Sequence, residues 1–284
     1  MRTSSRVTGY ALCTLLVLVA LLSYATLRED RHGLLTISFL DIGQGDSIFI
    51  DAPSGRQVLI DGGRGSLVLQ RLAAVMPWWD RSIDLVVATH PDADHIGGLI
   101  DVLARYRVGM IMHSSVEGDT QIAVALEHSI EAEGAQEITA LRGQVIALGD
   151  GAYIEVLYPD RAVPHVATND GSIVARLVYG DTAFMLTGDA PATVENYLAA
   201  LDPASLRADV LKAGHHGSKY SSGPIFLGTV GAHFGVFSRG CGNSYGHPAP
   251  EVVARFASFG IPTLDTCTAG TVTFVSDGTT VAQK

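Results

Sequence analysis

Positive charge is scarce in this chain. Nineteen Lys and Arg stand against 29 Asp and Glu, for a formal net charge of −10. That balance excludes a passive nucleic-acid coat protein, whose binding rests on a basic surface. It does not exclude a nuclease, because metal ions neutralise substrate phosphates locally. Cysteine is equally sparse, with three residues. Cys13 lies in an apolar segment, and the residues before it, Tyr10 to Leu12, do not resemble a lipoprotein acylation site. Cys241 and Cys267 are free to pair in an oxidising compartment, with two buried thiols as the alternative. There is no internal repeat, no low-complexity tract and no linker beyond residues 27–32. With 47% hydrophobic residues, residues 34–284 are expected to fold as one large α/β domain behind an N-terminal segment, 1–33.

That segment has one long apolar run. Residues 9–27 carry no charge, and Arg2 and Arg6 precede them. About 20 such residues suffice to cross a bilayer as a helix, and the basic flank stays cytoplasmic. The run exceeds an ordinary signal-peptide core, so the expectation is an uncleaved membrane anchor with the domain extracytoplasmic. A cleaved signal ending near Ser23-Tyr24-Ala25, which would leave the domain secreted, is the competing reading.

What the sequence has in abundance is polar turns after apolar strands. Residues 83–88 are continuously apolar apart from Asp84, and they lead into residues 89–98 (THPDADHIGG). His90, Asp92, Asp94 and His95 fall within six residues, between an expected strand and a helix over about 95–106. Mixed imidazole and carboxylate donors at this spacing suit a borderline or hard divalent metal; helix capping by the aspartates is the plain alternative. Similar turns recur. Asp189 follows the strand at 183–186, with an N-cap before Pro191 as the alternative. His215 and His216 follow the strand at 209–213, framed by glycines. Residues 244–248 (SYGHP) precede a helix at 250–259 and offer His247 as a proton donor or phosphate contact. Asp170 precedes the strand at 173–178, where turn chemistry alone also explains Asn-Asp-Gly. Asp41, Asp46 and Asp61 close tight turns and read as structural or ligand-orienting groups.

Taken together these residues resemble the metallo-β-lactamase superfamily. His90-x-Asp92-x-Asp94-His95 is similar to its His-x-His-x-Asp-His signature. Asp189 is similar to its bridging aspartate, and the 215–216 pair stands where its last metal histidine belongs. The resemblance is closer to one branch, the ComEC-type hydrolase domain of DNA uptake and competence. It is carried by residues 39–47 (FLDIGQGDS), 59–63 (LIDGG), 186–190 (LTGDA), 212–218 (KAGHHGS) and 245–248 (YGHP). It implies an αββα sandwich, two mixed sheets with helices on both outer faces. It also implies two divalent ions, Mn or Zn with Mg as a further candidate, and hydrolysis of phosphodiesters in DNA by a metal-activated hydroxide. Carried over, one metal takes His90, Asp92 and Asp170. The other takes Asp94, His95 and His215, and Asp189 bridges. Asp94 and Asp189 orient the water, and His216 or His247 protonates the leaving oxygen. Ser218, Lys219, Ser221, Tyr245 and His247 are the expected substrate contacts, and Lys212 and Arg239 are further basic candidates for flanking phosphates. Asp92 departs from the superfamily's His, which hardens the first site. The expected partners are DNA or another phosphodiester, and a membrane through the N-terminal segment; no protein partner is legible. Another hydrolase of this fold, acting on an ester, lactone or β-lactam, is the nearest alternative. A non-catalytic binding domain is the more distant one.

Overall fold

The protein is described by a computed structural model covering residues 2–29 and 33–284, with side chains described from residue 9 to 23 and from 33 onward. Two mixed sheets carry the fold. In spatial order the first has eight strands: Val281–Gln283, Val272–Ser276, Leu35–Phe39, Ile48–Asp51, Gln57–Ile60, Ser82–Ala88, Arg107–His113 and Gln136–Thr139. The second has seven: Thr263–Asp265, Phe234–Phe237, Val210–Lys212, Thr182–Leu186, Val174–Tyr179, Ala152–Tyr158 and Val145–Gly149. Each sheet is antiparallel in one part and parallel in the other.

Alternating side chains explain the layers. Phe39, Ile50, Ile60 and Val87 of the first sheet and Ile154, Leu177, Phe184 and Val210 of the second share one buried cluster, so the sheets pack face to face. The other face of the first sheet is covered by helices Leu67–Val75, Ala93–Leu103 and Gln121–Glu133 through Leu72, Leu99 and Leu126. The other face of the second is covered by Ala192–Leu201, Pro224–Val230 and Pro250–Ser258 through Leu198, Phe226 and Phe256. This is the expected αββα order.

The N-terminal expectation needs correction. Residues Arg2–Glu29 are helical, and the apolar side chains described there, such as Leu15 and Leu22, are exposed. Among the described residues, however, no helix is long and apolar enough to cross a membrane. A crossing takes about 20 consecutive apolar residues. The membrane anchor, and with it the extracytoplasmic or secreted placement of the remainder, therefore loses its basis. Residues 30–32 of the expected linker lie outside the described residues.

Candidate metal centre

The parallel parts of both sheets deliver their strand ends to one edge. From the first sheet, Ser82–Ala88 runs into Thr89 and His90. Asp61, at the end of Gln57–Ile60 and fully buried, receives the Thr89 N–H at 2.8 Å and the Thr89 hydroxyl at 2.7 Å. Its Oδ2 also lies 2.7 Å from His95 Nδ1. With the Thr89 hydroxyl hydrogen committed to Asp61, its oxygen is left to accept from His90 Nδ1 at 3.0 Å. Both imidazoles thus carry their proton on Nδ1 and turn a bare Nε2 inward. Helix Ala93–Leu103 begins directly after Asp92. Asp92 occupies the N-cap position but makes no side-chain capping bond, and its carboxylate stands 3.5 Å from His90 Nε2 instead.

From the second sheet, Thr182–Leu186 leads to Asp189. This carboxylate is not a helix cap either, since Pro191 fills that place. Val210–Lys212 leads to His215 and His216, whose φ values of 49° and 56° are left-handed. That backbone lets two adjacent imidazoles face the same space. His216 Nδ1 lies 2.9 Å from the Ser238 carbonyl, which only accepts, so its Nε2 is also bare. Four Nε2 atoms surround Asp189 Oδ2: His95 at 3.3 Å, His216 at 3.4 Å, His215 at 3.6 Å and His90 at 4.0 Å. Asp94 Oδ2 adds a further oxygen 3.5 Å from His216 Nε2.

The donor set fits divalent metal. The Nε2 atoms of His90, His95 and His216 are buried without a hydrogen-bond partner. Three such orphans around one carboxylate oxygen are costly unless a cation satisfies them. Donor atoms of Asp46, His95, Asp189 and His216 all lie within 4.8 Å of one another.

Without a metal, protons fill the role. Burial pushes the His216 imidazolium down, but Asp189 and Asp46 outweigh it and bring the pKa up to about 9. His95 behaves alike: Asp189 and Asp61 overcome burial and hold it well up. Burial pushes the Asp94 acid up, yet the His216 hydrogen bond and the His95 charge bring it down to about 2. His215, half-buried, moves the other way, because burial and the neighbouring His216 and Lys212 together exceed the pull of Asp189.

Several expected roles shift on this geometry. Asp170 is exposed on the short turn Thr168–Gly171 and is absent from the donor group. The turn presents Asn169 instead, whose side-chain amide lies 3.3 Å from His215 Nδ1. Of the late histidines, both face Asp189, but the buried one that joins the compact group is His216. Ser221 and Ser218 are not open to substrate. Ser221 is fully buried and donates to the Ala190 carbonyl at 2.9 Å, and Ser218 is 2% exposed. Lys212 is no phosphate-holding surface residue: it is fully buried, ion-paired to Asp46, and donates to the Gly188 carbonyl at 2.6 Å. Arg239 is tied to Asp265. Lys219 and Tyr220 remain exposed, the ammonium 5.1 Å from the Tyr220 ring centre. His247 lies with its ring 5.5 Å from that of His215, and exposed Tyr245 stacks on it at 5.8 Å. Cys241 and Cys267 form a disulfide, with Cα atoms 5.0 Å apart.

Sequence reasoning missed Asn169 and underrated Asp46 and Lys212. The signal for the last was present: a lysine ending the apolar strand Val210–Lys212 must find a buried counter-charge.

Residues 40–227 match the Metallo-beta-lactamase superfamily. Among curated relatives, ComE operon protein 3 of Bacillus subtilis is 30% identical over 291 residues, covering 94% of this chain and 36% of that one. Competence protein ComA of Neisseria gonorrhoeae is 30% identical over 243 residues, covering 84% and 32%. The chain thus spans about a third of the length of these relatives. Among solved structures it is similar to the metallo-beta-lactamase fold protein YhfI from Bacillus subtilis. The TM-score is 0.57 at 14% identity, over 85% of this chain and 99% of that one. It is also similar to Igni18, a metallo hydrolase from Ignicoccus hospitalis, with a TM-score of 0.52 at 17% identity over 84% and 98%.

Proposed function

This chain belongs to the metallo-beta-lactamase superfamily, and from that premise we propose that it is a metal-dependent phosphodiesterase acting on DNA. The observation that carries the reading is the convergence of four histidine Nε2 atoms on Asp189 Oδ2. His90 and Asp92 would hold one divalent ion, and Asp94, His95 and His216 a second, with Asp189 shared. When bound, such ions acidify water to near neutrality and neutralise charge on a phosphodiester. The protein's own groups prepare that site. Asp61 and the Ser238 carbonyl fix the tautomers of His95 and His216. Lys212 stands 3.6 Å from Asp189 Oδ1, while the four histidine distances run to Oδ2, and it adds a fixed positive charge beside the carboxylate. His215 lies on the solvent side, its charged form disfavoured. It is placed to take or give a proton at Nε2, and His247 stands next to it. DNA as substrate is supported by the relatives being competence proteins. A chain of net charge −10 has little surface with which to neutralise phosphates, so that task falls to the centre.

The test uses the full chain, stripped of metal and reloaded with Mn, Zn or Mg. Turnover of bis-p-nitrophenyl phosphate and of single- and double-stranded DNA is expected with at least one metal. Asp189→Ala should lower it by at least about 100-fold, together with metal content. Metal binding with turnover of an ester, lactone or β-lactam and none of any phosphodiester would replace this reading with another hydrolase of the fold. A chain that binds no metal would overturn both.

A further inference from the structure

The segment between Val210–Lys212 and Pro224–Val230 carries both late histidines, and it is a strained loop. His215, His216 and Ser222 have φ values of 49°, 56° and 53°. Three non-glycine residues in the left-handed region persist only where the surroundings over-determine them. The loop is closed on itself, because the Gly214 N–H donates to the Ser222 hydroxyl at 3.0 Å. Holding Ser222 therefore holds the residue next to His215.

Two side chains from different helices hold it. Glu195, on Ala192–Leu201, is 1% exposed. Its two oxygens accept the Ser222 N–H at 2.7 Å and the Gly223 N–H at 2.9 Å. An acid in the first turn of a helix ordinarily serves that helix's own N–H groups; this one serves another segment. Arg255, on Pro250–Ser258, reaches the same peptides from the other side. Its Nη1 donates to the Ser222 carbonyl at 2.8 Å and the Ser221 carbonyl at 3.2 Å. The carboxylate also lies against Gly214, where an added Cβ would stand 3.0 Å from Glu195 Oε1 and 2.9 Å from Ser221 Cβ.

We propose that Glu195 and Arg255 form a two-sided peptide clamp that positions His215 and His216, which makes Glu195 a positioning residue for the centre. The proposal rests on the metal reading above. Burying an acid here is unfavourable: burial brings the Glu195 pKa up to about 7 against the two N–H bonds and the charges of Arg255 and Lys212. The cost is met by the two N–H groups the carboxylate accepts, which an apolar residue of similar size would leave buried and unpaired, so the geometry of this loop depends on an acceptor at position 195. Glutamine keeps the shape but has one acceptor oxygen for two N–H donors, and its amide nitrogen meets the other donor head-on.

The experiment compares Glu195→Gln and Arg255→Ala with the wild-type full chain. Three quantities are read: Mn and Zn affinity by chelator competition, kcat and KM on bis-p-nitrophenyl phosphate, and amide hydrogen exchange across residues 214–223. Both variants are expected to stay folded and to lose metal affinity by about 10- to 100-fold. The fall in turnover should appear in kcat with KM unchanged, and exchange should rise in this loop alone. Wild-type metal affinity in Glu195→Gln, or unchanged exchange at residues 214–223, would overturn the clamp. If a variant fails to fold, the other decides on the same readouts. A wild-type chain that binds no metal would instead sink the metal reading, and the exchange data would still judge the clamp.

Discussion

Asp46, Asp61, Asp189 and Lys212 sit together in the interior with almost no exposure, and the balance among them sets how the centre holds charge. Lys212 supplies a fixed positive charge beside Asp46 and Asp189. Histidine protonation supplies the rest when metal is absent, which gives a pH dependence of definite sign. The His216 pKa is up at about 9 in the fold against 6.5 unperturbed. Its stabilising effect is full below about pH 6.5 and is lost as pH rises through about 9. Asp94, brought down to about 2 from 3.8, works in the opposite direction: its contribution is present above 3.8 and lost as pH falls through 2. Glu195, brought up to about 7 from 4.5, adds to the alkaline side, since its contribution is full below 4.5 and lost as pH rises through about 7. Metal-free protein should therefore be most stable at about pH 4 to 4.5 and weaken in two steps, the His216 step alone costing on the order of 3 kcal/mol between about pH 6.5 and 9.5, read from urea unfolding. Metal-loaded protein should keep the Glu195 step and lack the histidine one, because ligated imidazoles no longer titrate. At this scale the sequence was partly legible. The 89–98 turn announced itself through donor density. Asn169 did not, because next to Asp170 in a Gly-flanked turn nothing in the residue types tells which side chain faces inward.

Helix Ala93–Leu103 shows how an element positions these donors. It packs so closely on the 62–65 turn that a Cβ at Gly98 would stand 2.1 Å from the Gly62 carbonyl oxygen and 2.7 Å from that of Gly65. The Gly62 N–H donates to the His95 carbonyl and the Gly98 N–H to the Gly63 carbonyl, at 2.7 and 2.8 Å. Gly98→Ala raises helix propensity by up to about 1 kcal/mol, yet the clash must push the helix off the turn. The expected net loss is about 1–3 kcal/mol in denaturant unfolding, with reduced metal affinity as Asp94 and His95 move with the helix. Most elements were readable from their periodicity, including Gln121–Glu133 and Leu67–Val75. Helix Ala93–Leu103 begins two residues earlier than its apolar pattern suggests, at Ala93 rather than His95, because its first turn carries the candidate donors Asp94 and His95 instead of core residues. The short strand Thr263–Asp265 carries no alternation long enough to reveal it.

Over the whole molecule, the layer order follows from apolar strands interleaved with amphipathic helices, and this was legible. The N-terminal segment was misread, because apolar composition alone does not establish a span of sufficient length. Pairing of the two late cysteines was not decidable from spacing. The Cys241–Cys267 bond joins the loop carrying Tyr245 and His247 to the short helix Thr266–Ala269. Cys241→Ser with Cys267→Ser should lower stability by about 2–4 kcal/mol, measured as unfolding with and without reductant.

The donors are divided between the two sheets. His90, Asp94 and His95 arrive with the first, and Asp189, His215 and His216 with the second. Neither sheet has a complete set, so the centre is a seam, and an ion within it would act as a rivet across that seam. Sliding one sheet over the other would alter the distances from Asp189 to His90 and His95 and leave those to His215 and His216, which share its sheet. Occupancy and sheet alignment would therefore be coupled, and metal uptake would also resist shear between the sheets.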